Sequence, residues 1–377
     1  MSKVIIIGPA HPLRGGLASF NERLARQFQS QGFDTSIYTF SLQYPSFLFP
    51  GTTQYSTEPK PLDLNIKVCI NSINPLSWIR VGLELKKMQP DIIVVRYWLP
   101  FMGYCLGTIL RIVKRNKHTK IICIADNIIP HEKRIGDTQF TKYFVKPIDA
   151  FITMSEKVMQ DLKKFTNKPA QQIVHPLYDN FGEALNKQEA RKHLSLPQNE
   201  NIILFFGFIR KYKGLDLLLE AMSLLKSKQP TTNIKLLIAG EFYEDQKPYN
   251  NLIAQLNISS SLILKTDFIP DSEVKYYLSA ADFVIQPYRN ATQSGVTPLA
   301  YHFNKPMLVT NVGGLPDLVP NYKVGLIAEP TAISIAEKII ELYQLGEQYF
   351  LPHLLEEKKK YSWSILLDKI LSLANTK

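Results

Sequence analysis

Short runs of β-branched and other apolar residues alternate along the chain with longer stretches in which apolar residues recur every three to four positions. The first half carries the runs "KVIIIG" (3–8), "TSIYTF" (35–40), "DIIVVRY" (91–97), "KIICIA" (120–125) and "DAFITM" (149–154), and an amphipathic stretch over 16–31 follows the first of them. Between 176 and 201 the pattern breaks into a polar, helix-prone connector that includes "NKQEARKHLSLPQNEN". A second series then begins: "NIILFFG" (201–207), "NIKLLIAG" (233–240), "SLILKTDF" (261–268), "ADFVIQP" (281–287), "KPMLVTN" (305–311) and "KVGLIAEP" (323–330). Apolar run followed by helical pattern, repeated, predicts parallel strands joined by crossover helices. The fold class is therefore α/β, with two doubly wound, Rossmann-like domains at 1–180 and 181–360. The last stretch, "YSWSILLDKILSLAN" (361–375), has one apolar helical face, and 361–377 is expected to pack back on the first domain. Ligands of open parallel sheets sit beyond the carboxyl ends of the strands, so the two sheets are expected to face each other across an interdomain cleft.

Composition narrows the picture. With 45% hydrophobic residues in 377, the chain can bury two ordinary cores, which argues against disorder. Cys69, Cys105 and Cys123 show neither metal-ligand spacing nor an even-numbered framework, so they read as core residues of a reduced, cytoplasmic protein. The apolar run of "MSKVIIIGPAHP" is too short for a secretory signal, and the nearly uncharged stretch over 99–110 is too short to span a bilayer. Lys plus Arg number 44 against 33 Asp plus Glu, and the net +11 favours nucleotides, phospholipid headgroups or nucleic acid as partners, or is a solvated basic surface. Nucleic acid is not expected, because the chain has no basic–aromatic interleaving, RNP-like sequence or zinc-finger spacing. "LRIVKRNKHTK" (110–120) places five basic residues after an apolar helical run, including Arg111, Lys114, Arg115 and Lys117. That run predicts peripheral docking on an anionic membrane face.

Candidate chemistry gathers at strand ends of the second half. "FFGFIRKYKG" puts Gly207 where a strand stops and then offers Arg210, Lys211 and Lys213 before Gly214. Arg forks two phosphate oxygens and Lys adds a mobile point charge, although taken alone the loop is equally a solvated surface. "SGVTPLAYHF" (294–303) sets Gly295 at a helix start with Pro298 in the first turn, where free N–H groups and the dipole attract phosphate. It could also be a simple cap.

Taken together and in order, "GPAHPLRGGLASFNERLARQF", "FFGFIRKYKG", "IAGE", "SAADFVIQP", "SGVTPLAYHFNKP" and "TNVGGLPDLV" resemble the GT-B glycosyltransferases of family 4, over nearly the whole chain. That family consists of retaining enzymes that use nucleotide sugars. The resemblance implies that Gly15 and Gly16 form a turn against the donor diphosphate and sugar, and that Arg210 and Lys213 hold the diphosphate while Gly207 lets the loop approach. It places Glu241 near the nucleoside, "DFIP" with Phe268 around the base, and Ser294, Gly295, Val296 and Thr297 at the phosphates, the last three through N–H groups. Gly313 and Gly314 read as a backbone turn.

The chain also departs from the family. Two glutamates eight positions apart, one for the donor sugar and one for the ribose, are replaced by Thr292 and Ala300. Gln293 or Asn290 is a substitute for part of the first contact. In the first domain, where many relatives have a His beside the acceptor, Asp126 stands at a strand end and His131 follows in "IADNIIPHEKR". Asp126 is the expected acceptor-orienting residue, and His131 is otherwise a surface histidine. Trp98 in "VRYWLP" suits either a sugar ring or the core. No Asp-x-Asp pair occurs, so no metal and no cofactor is expected. The expected function is transfer of a sugar from a nucleotide diphosphate sugar to a glycan or lipid-linked acceptor in envelope or polysaccharide biosynthesis. The alternative is a non-catalytic sugar- or nucleotide-binding subunit on the same scaffold.

Overall fold

A computed structural model describes residues 2–45, 53–130, 136–228, 233–291 and 294–375. The chain splits into two compact units, Met1–Pro176 with Ser362–Lys377, and Leu177–Tyr361. The passage between them lies at the start of the polar connector.

The first unit is built on strands β1 (Lys3–Ile7), β2 (Asp34–Leu42), β3 (Asn65–Asn71), β4 (Ile92–Tyr97), β5 (Lys120–Ala125), β6 (Ala150–Thr153) and β7 (Ala170–Gln172). All neighbours are parallel, in the order β3-β2-β1-β4-β5-β6-β7. The second unit has β8 (Asn201–Phe206), β9 (Ile234–Ala239), β10 (Leu262–Lys265), β11 (Phe283–Gln286), β12 (Met307–Thr310) and β13 (Gly325–Ala328), parallel throughout in the order β10-β9-β8-β11-β12-β13. Each sheet thus reverses its winding once, between β1 and β4 and between β8 and β11. A crevice opens beyond the strand ends at such a point. Loops that border these two points are 8–15 in the first unit, and 207–214 and the described residues 287–291 in the second.

Burial explains why these runs became strands. β4 is buried at every position and β1 at every position after Lys3, as expected where helices cover both faces of a parallel sheet. The helix Gly16–Ser30 turns Phe20, Leu24 and Phe28, four apart, into the core. The terminal helix Trp363–Asn375 buries Trp363, Leu366, Leu367, Ile370 and Leu373, and it packs on helix Gly16–Ser30, β5 and β6. Two strands, β3 and β7, carry no clear apolar run in sequence. Both are edges, where one neighbour is missing and alternation is incomplete: β3 exposes Lys67 and Val68 side by side, and β7 has three residues.

Cys69, Cys105 and Cys123 are buried and unpaired, and burial pushes all three thiols well above the ordinary thiol range. No helix of the described residues is long and apolar enough to cross a membrane.

Candidate functional site

In the second unit the loop after β8 folds back on itself. Gly207 has φ +92° and Gly240, after β9, has φ +140°; a Cβ on Gly240 would stand 2.3 Å from the Gly207 carbonyl oxygen. Two glycines therefore let the chains leaving β8 and β9 pass at close range. The ladder continues beyond the strands, with the Ile209 N–H donating to the Glu241 carbonyl at 2.8 Å and the Tyr243 N–H to the Ile209 carbonyl at 3.0 Å. Arg210 then opens a single turn, Lys211–Lys213, closed by Gly214 at φ +67°. That turn brings the Lys213 ammonium back over the strand end: a Cβ on Gly207 would stand 3.3 Å from Lys213 Nζ and 3.8 Å from Val296 Cγ2. Gly207, Lys213 and Val296, far apart in sequence, therefore meet at one place.

Its charge is positive. Burial first, and then the nearby Arg210 guanidinium, lower the Lys213 pKa to about 8. The Lys213 ammonium stands 5.7 Å from the Tyr288 ring centroid and the Arg210 guanidinium 5.3 Å from that of Tyr243. Nearby carboxylates are already engaged: Asp216 accepts from Arg289 at 2.7 Å, and Glu244 accepts from the Lys211 N–H and the Tyr249 hydroxyl. Among the described residues neither Arg210 nor Lys213 has an ion-pair partner. Beside the two cations lie three rings from the ends of adjacent strands. Phe208 stacks on Tyr243 at 4.1 Å and lies 6.4 Å from Phe268 at an interplanar angle of 25°. Phe208 and Tyr243 escaped the sequence reading, although an aromatic residue just past each of three neighbouring strands is a signal that could have found them. Glu241 is buried at the same edge.

The stretch from Ser294 folds differently from expectation. Helix Val296–His302 is seven residues long, and the Val296 N–H, expected to face phosphate, donates to Ser294 Oγ at 3.2 Å. Ser294 is further tied to the Tyr288 hydroxyl at 3.2 Å. Thr297 is buried, its hydroxyl donating to Gln286 Oε1 at 3.1 Å, whereas Gly295 is exposed. The expectation for Val296 is thus corrected: its amide has an internal acceptor. Ala300, which the resemblance sets against a ribose carboxylate, is fully buried. Thr292 and Gln293 lie outside the described residues, as does His131.

In the first unit Gly15, at φ +99°, opens the helix that begins with Gly16, and its carbonyl accepts the Ala18 and Ser19 N–H groups at 2.9 and 3.2 Å. Asp126 requires a correction. Both its oxygens are held by Arg96, Nε to Oδ2 at 2.5 Å and NH2 to Oδ1 at 2.6 Å, and both residues are buried. A carboxylate gripped by a bidentate guanidinium has both oxygens occupied and is held in one orientation, away from an acceptor hydroxyl. Arg96 in turn lies 3.8 Å over the Phe20 ring, and its NH1 is buried with no partner. The neighbouring His175 accepts no charge at neutral pH: burial first, then Arg96, lowers its pKa to about 3. Opposite charges at the ends of adjacent strands β4 and β5 were the available sign of this pair. Tyr97 and Trp98 belong to the core, Tyr97 stacked on Phe144 at 4.0 Å and Trp98 donating to the Tyr44 hydroxyl at 2.5 Å. Of the basic residues expected to face a membrane, Arg111 is used internally, donating to the Tyr143 carbonyl at 2.9 Å over that residue's ring, and Lys114 pairs with Asp149 at 2.9 Å.

Two parallel-sheet units with cationic and glycine-rich loops at the switch point of the second match known proteins in fold and sequence. Residues 186–351 match the family model described as "Glycosyl transferases group 1". The chain superposes on sucrose-phosphate synthase from Thermosynechococcus elongatus with a TM-score of 0.73 at 15% identity, over 99% of this chain and 98% of that one. It superposes equally on HepE of Anabaena, solved in complex with UDP and glucose, at 0.73 and 13% identity over 99% of each chain. The fold is GT-B. Among curated sequences, the chain is 24% identical over 315 residues to a D-inositol 3-phosphate glycosyltransferase of Corynebacterium glutamicum, covering 77% of this chain and 73% of that protein. Alignments to further proteins of that name span less than half of their length, between 34% and 49%.

Proposed function

We propose that this chain is a retaining, family 4 glycosyltransferase that moves a sugar from a nucleotide diphosphate sugar to a glycan or lipid-linked acceptor, in cell-envelope or polysaccharide biosynthesis. The observation that carries the reading is the pair Arg210 and Lys213, unpaired with any described carboxylate and folded over Gly207 at the switch point of the second sheet. Cleaving an anomeric bond puts negative charge on the departing diphosphate, and preorganised cations in a partly desolvated site stabilise that charge most where it develops. Two protein cations do this without a metal ion, so donor binding is expected in the presence of a chelator. Phe208, Tyr243 and Phe268 are the natural flank for the base, with Glu241 beside them, and Gly295 is exposed at the next loop.

The relatives support the same chemistry. HepE is solved with UDP and glucose, and a Bacillus subtilis relative, 25% identical over 215 residues, is named a putative teichuronic acid biosynthesis glycosyltransferase. The second reading, a non-catalytic sugar- or nucleotide-binding subunit, is favoured by Ala300, which puts a buried methyl where the family places its ribose carboxylate. We assign the protein to the cytoplasm, with peripheral membrane contact.

Calorimetric titration with a panel of nucleoside diphosphates in a chelator tests the reading. Arg210→Ala and Lys213→Ala should each weaken binding by roughly 1.5–3 kcal/mol, the range for a hydrogen bond to a charged group. Failure of the wild type to bind, or wild-type affinity in both variants, removes the donor site from this place. Binding with no turnover of any nucleotide sugar, with or without lipid acceptors, selects the subunit reading.

A further inference from the structure

The helix Pro75–Met88 of the first unit is apolar on two sides. One side, with Val81, Gly82 and Leu85, is buried against the core and against the helix Gly103–Lys114, where a Cβ on Gly82 would stand 2.9 Å from the Ile112 Cβ. The opposite side carries Leu76, Ile79 and Leu83, spaced three and four apart, with 75%, 43% and 53% of their surfaces exposed. Ile73, just before the helix, is 52% exposed as well. Isolated exposed leucines are ordinary, but three large apolar residues in one helical stripe, with a fourth just before the helix, are an unfinished surface.

Charge indicates what finishes it. At 100° per residue, Arg80 and Lys87 fall on the same exposed face and Lys86 on its border. Among the described residues none of the three has an ion-pair partner. Glu84, the one acid of the helix, is turned to the side, where Lys67 and the Tyr38 hydroxyl hold it. The adjacent helix Gly103–Lys114 follows the next strand of the same parallel sheet and so runs in the same direction. Its exposed Arg115 and Lys117 therefore extend the basic edge at the end where Lys86 and Lys87 lie. A second copy docking face to face would set cation against cation, which disfavours a symmetric dimer.

We propose that the exposed face of helix Pro75–Met88 docks on an anionic lipid bilayer, with Leu76, Ile79 and Leu83 entering the headgroup–acyl boundary and Arg80, Lys86 and Lys87 meeting lipid phosphates. An apolar stripe flanked by cations on a surface helix suits that interface. This moves the centre of the membrane contact away from the basic run at 110–120, where Arg111 and Lys114 are engaged by other groups of the protein and only Arg115 and Lys117 extend the docking edge.

Flotation with vesicles of phosphatidylcholine, alone or mixed with phosphatidylglycerol, tests the inference without using turnover. Its outcome is therefore independent of the nucleotide titration. The wild type should float with anionic vesicles, less so as salt rises. Leu76→Ser with Leu83→Ser should lower binding at least about tenfold, and Arg80→Ala with Lys87→Ala by about 10- to 30-fold, the loss expected for two surface cations. The three native cysteines are buried, so a Leu83→Cys variant can carry a polarity-sensitive fluorophore at one place, and its emission should shift to the blue on anionic vesicles. Equal binding to neutral and anionic vesicles, unchanged binding of the double-leucine variant, a label that senses no lipid, or a dimer abolished by Leu83→Ser overturns the proposal. Retained folding is read from circular dichroism and urea denaturation of the whole chain.

Discussion

Lys213 shows how a single residue sets a pH dependence. Burial, and after it the Arg210 guanidinium, lower its pKa to about 8 from the ordinary 10.5, so in the free protein the proton leaves as pH rises through 8. A bound diphosphate favours the charged form. Below pH 8 the site is already protonated and affinity should be flat; above it, binding must take up a proton, and affinity should fall by up to about tenfold per pH unit. Calorimetry of nucleoside diphosphate across that range checks this, and Lys213→Met should abolish the slope along with much of the affinity. The free protein should behave in the opposite sense, gaining stability between pH 8 and 10.5, because there the unfolded chain holds the extra proton. At this scale the sequence showed which residues carry charge but not which charges are free. Arg210 and Lys213 were legible because glycines bracket them, whereas nothing local to Asp126 reveals that Arg96, thirty positions earlier, holds both its oxygens.

Loops joining strands to helices are where sequence and geometry part company. Gly295 attracts attention as the glycine at a helix start, yet its φ is −70° and an added Cβ would come no closer than 3.6 Å, to Tyr178. Gly214 looks like an ordinary loop glycine, but it has φ +67° and a Cβ there would stand 2.0 Å from the Pro287 carbonyl oxygen. Gly214→Ala should therefore destabilise the second unit by about 2 kcal/mol or more, combining left-handed strain with a clash against backbone. Gly295→Ala should change stability by no more than about 0.5 kcal/mol. Urea denaturation of the two variants separates them, and equal losses would show that the Gly207–Gly214 turn is not what holds Lys213 in place. Central strands were readable from their apolar runs because both faces are buried. Edge strands β3 and β7, and the rings gathered past β8, β9 and β10, were not, since they depend on which strands become neighbours.

Across the whole molecule the chain visits the first unit twice, leaving it after Pro176 and returning at Ser362. The pattern of "YSWSILLDKILSLAN" announces a buried face but cannot by itself name the surface that buries it. In the structure Trp363 packs against Phe20 at 4.8 Å and beneath the Arg23 guanidinium at 4.9 Å, while Phe20 also meets His175 at 5.1 Å and lies under Arg96. The terminal helix therefore closes the same core that holds the Arg96–Asp126 pair. Each of its buried side chains, Trp363, Leu366, Leu367, Ile370 and Leu373, contributes about 1.5–3 kcal/mol. Together these are comparable with the roughly 5–15 kcal/mol net stability of a domain. A chain ending at Tyr361 should consequently lose protection in helix Gly16–Ser30 and in β5 and β6, while β8 to β13 keep theirs, a difference that hydrogen exchange reads strand by strand. Phe20→Ala in the full-length chain should reproduce the loss in part, because it removes the ring on which Trp363 and Arg96 both rest. Uniform loss across both sheets would mean that the units do not unfold separately, and undiminished protection in β5 and β6 would mean that the terminal helix adds nothing to the first core.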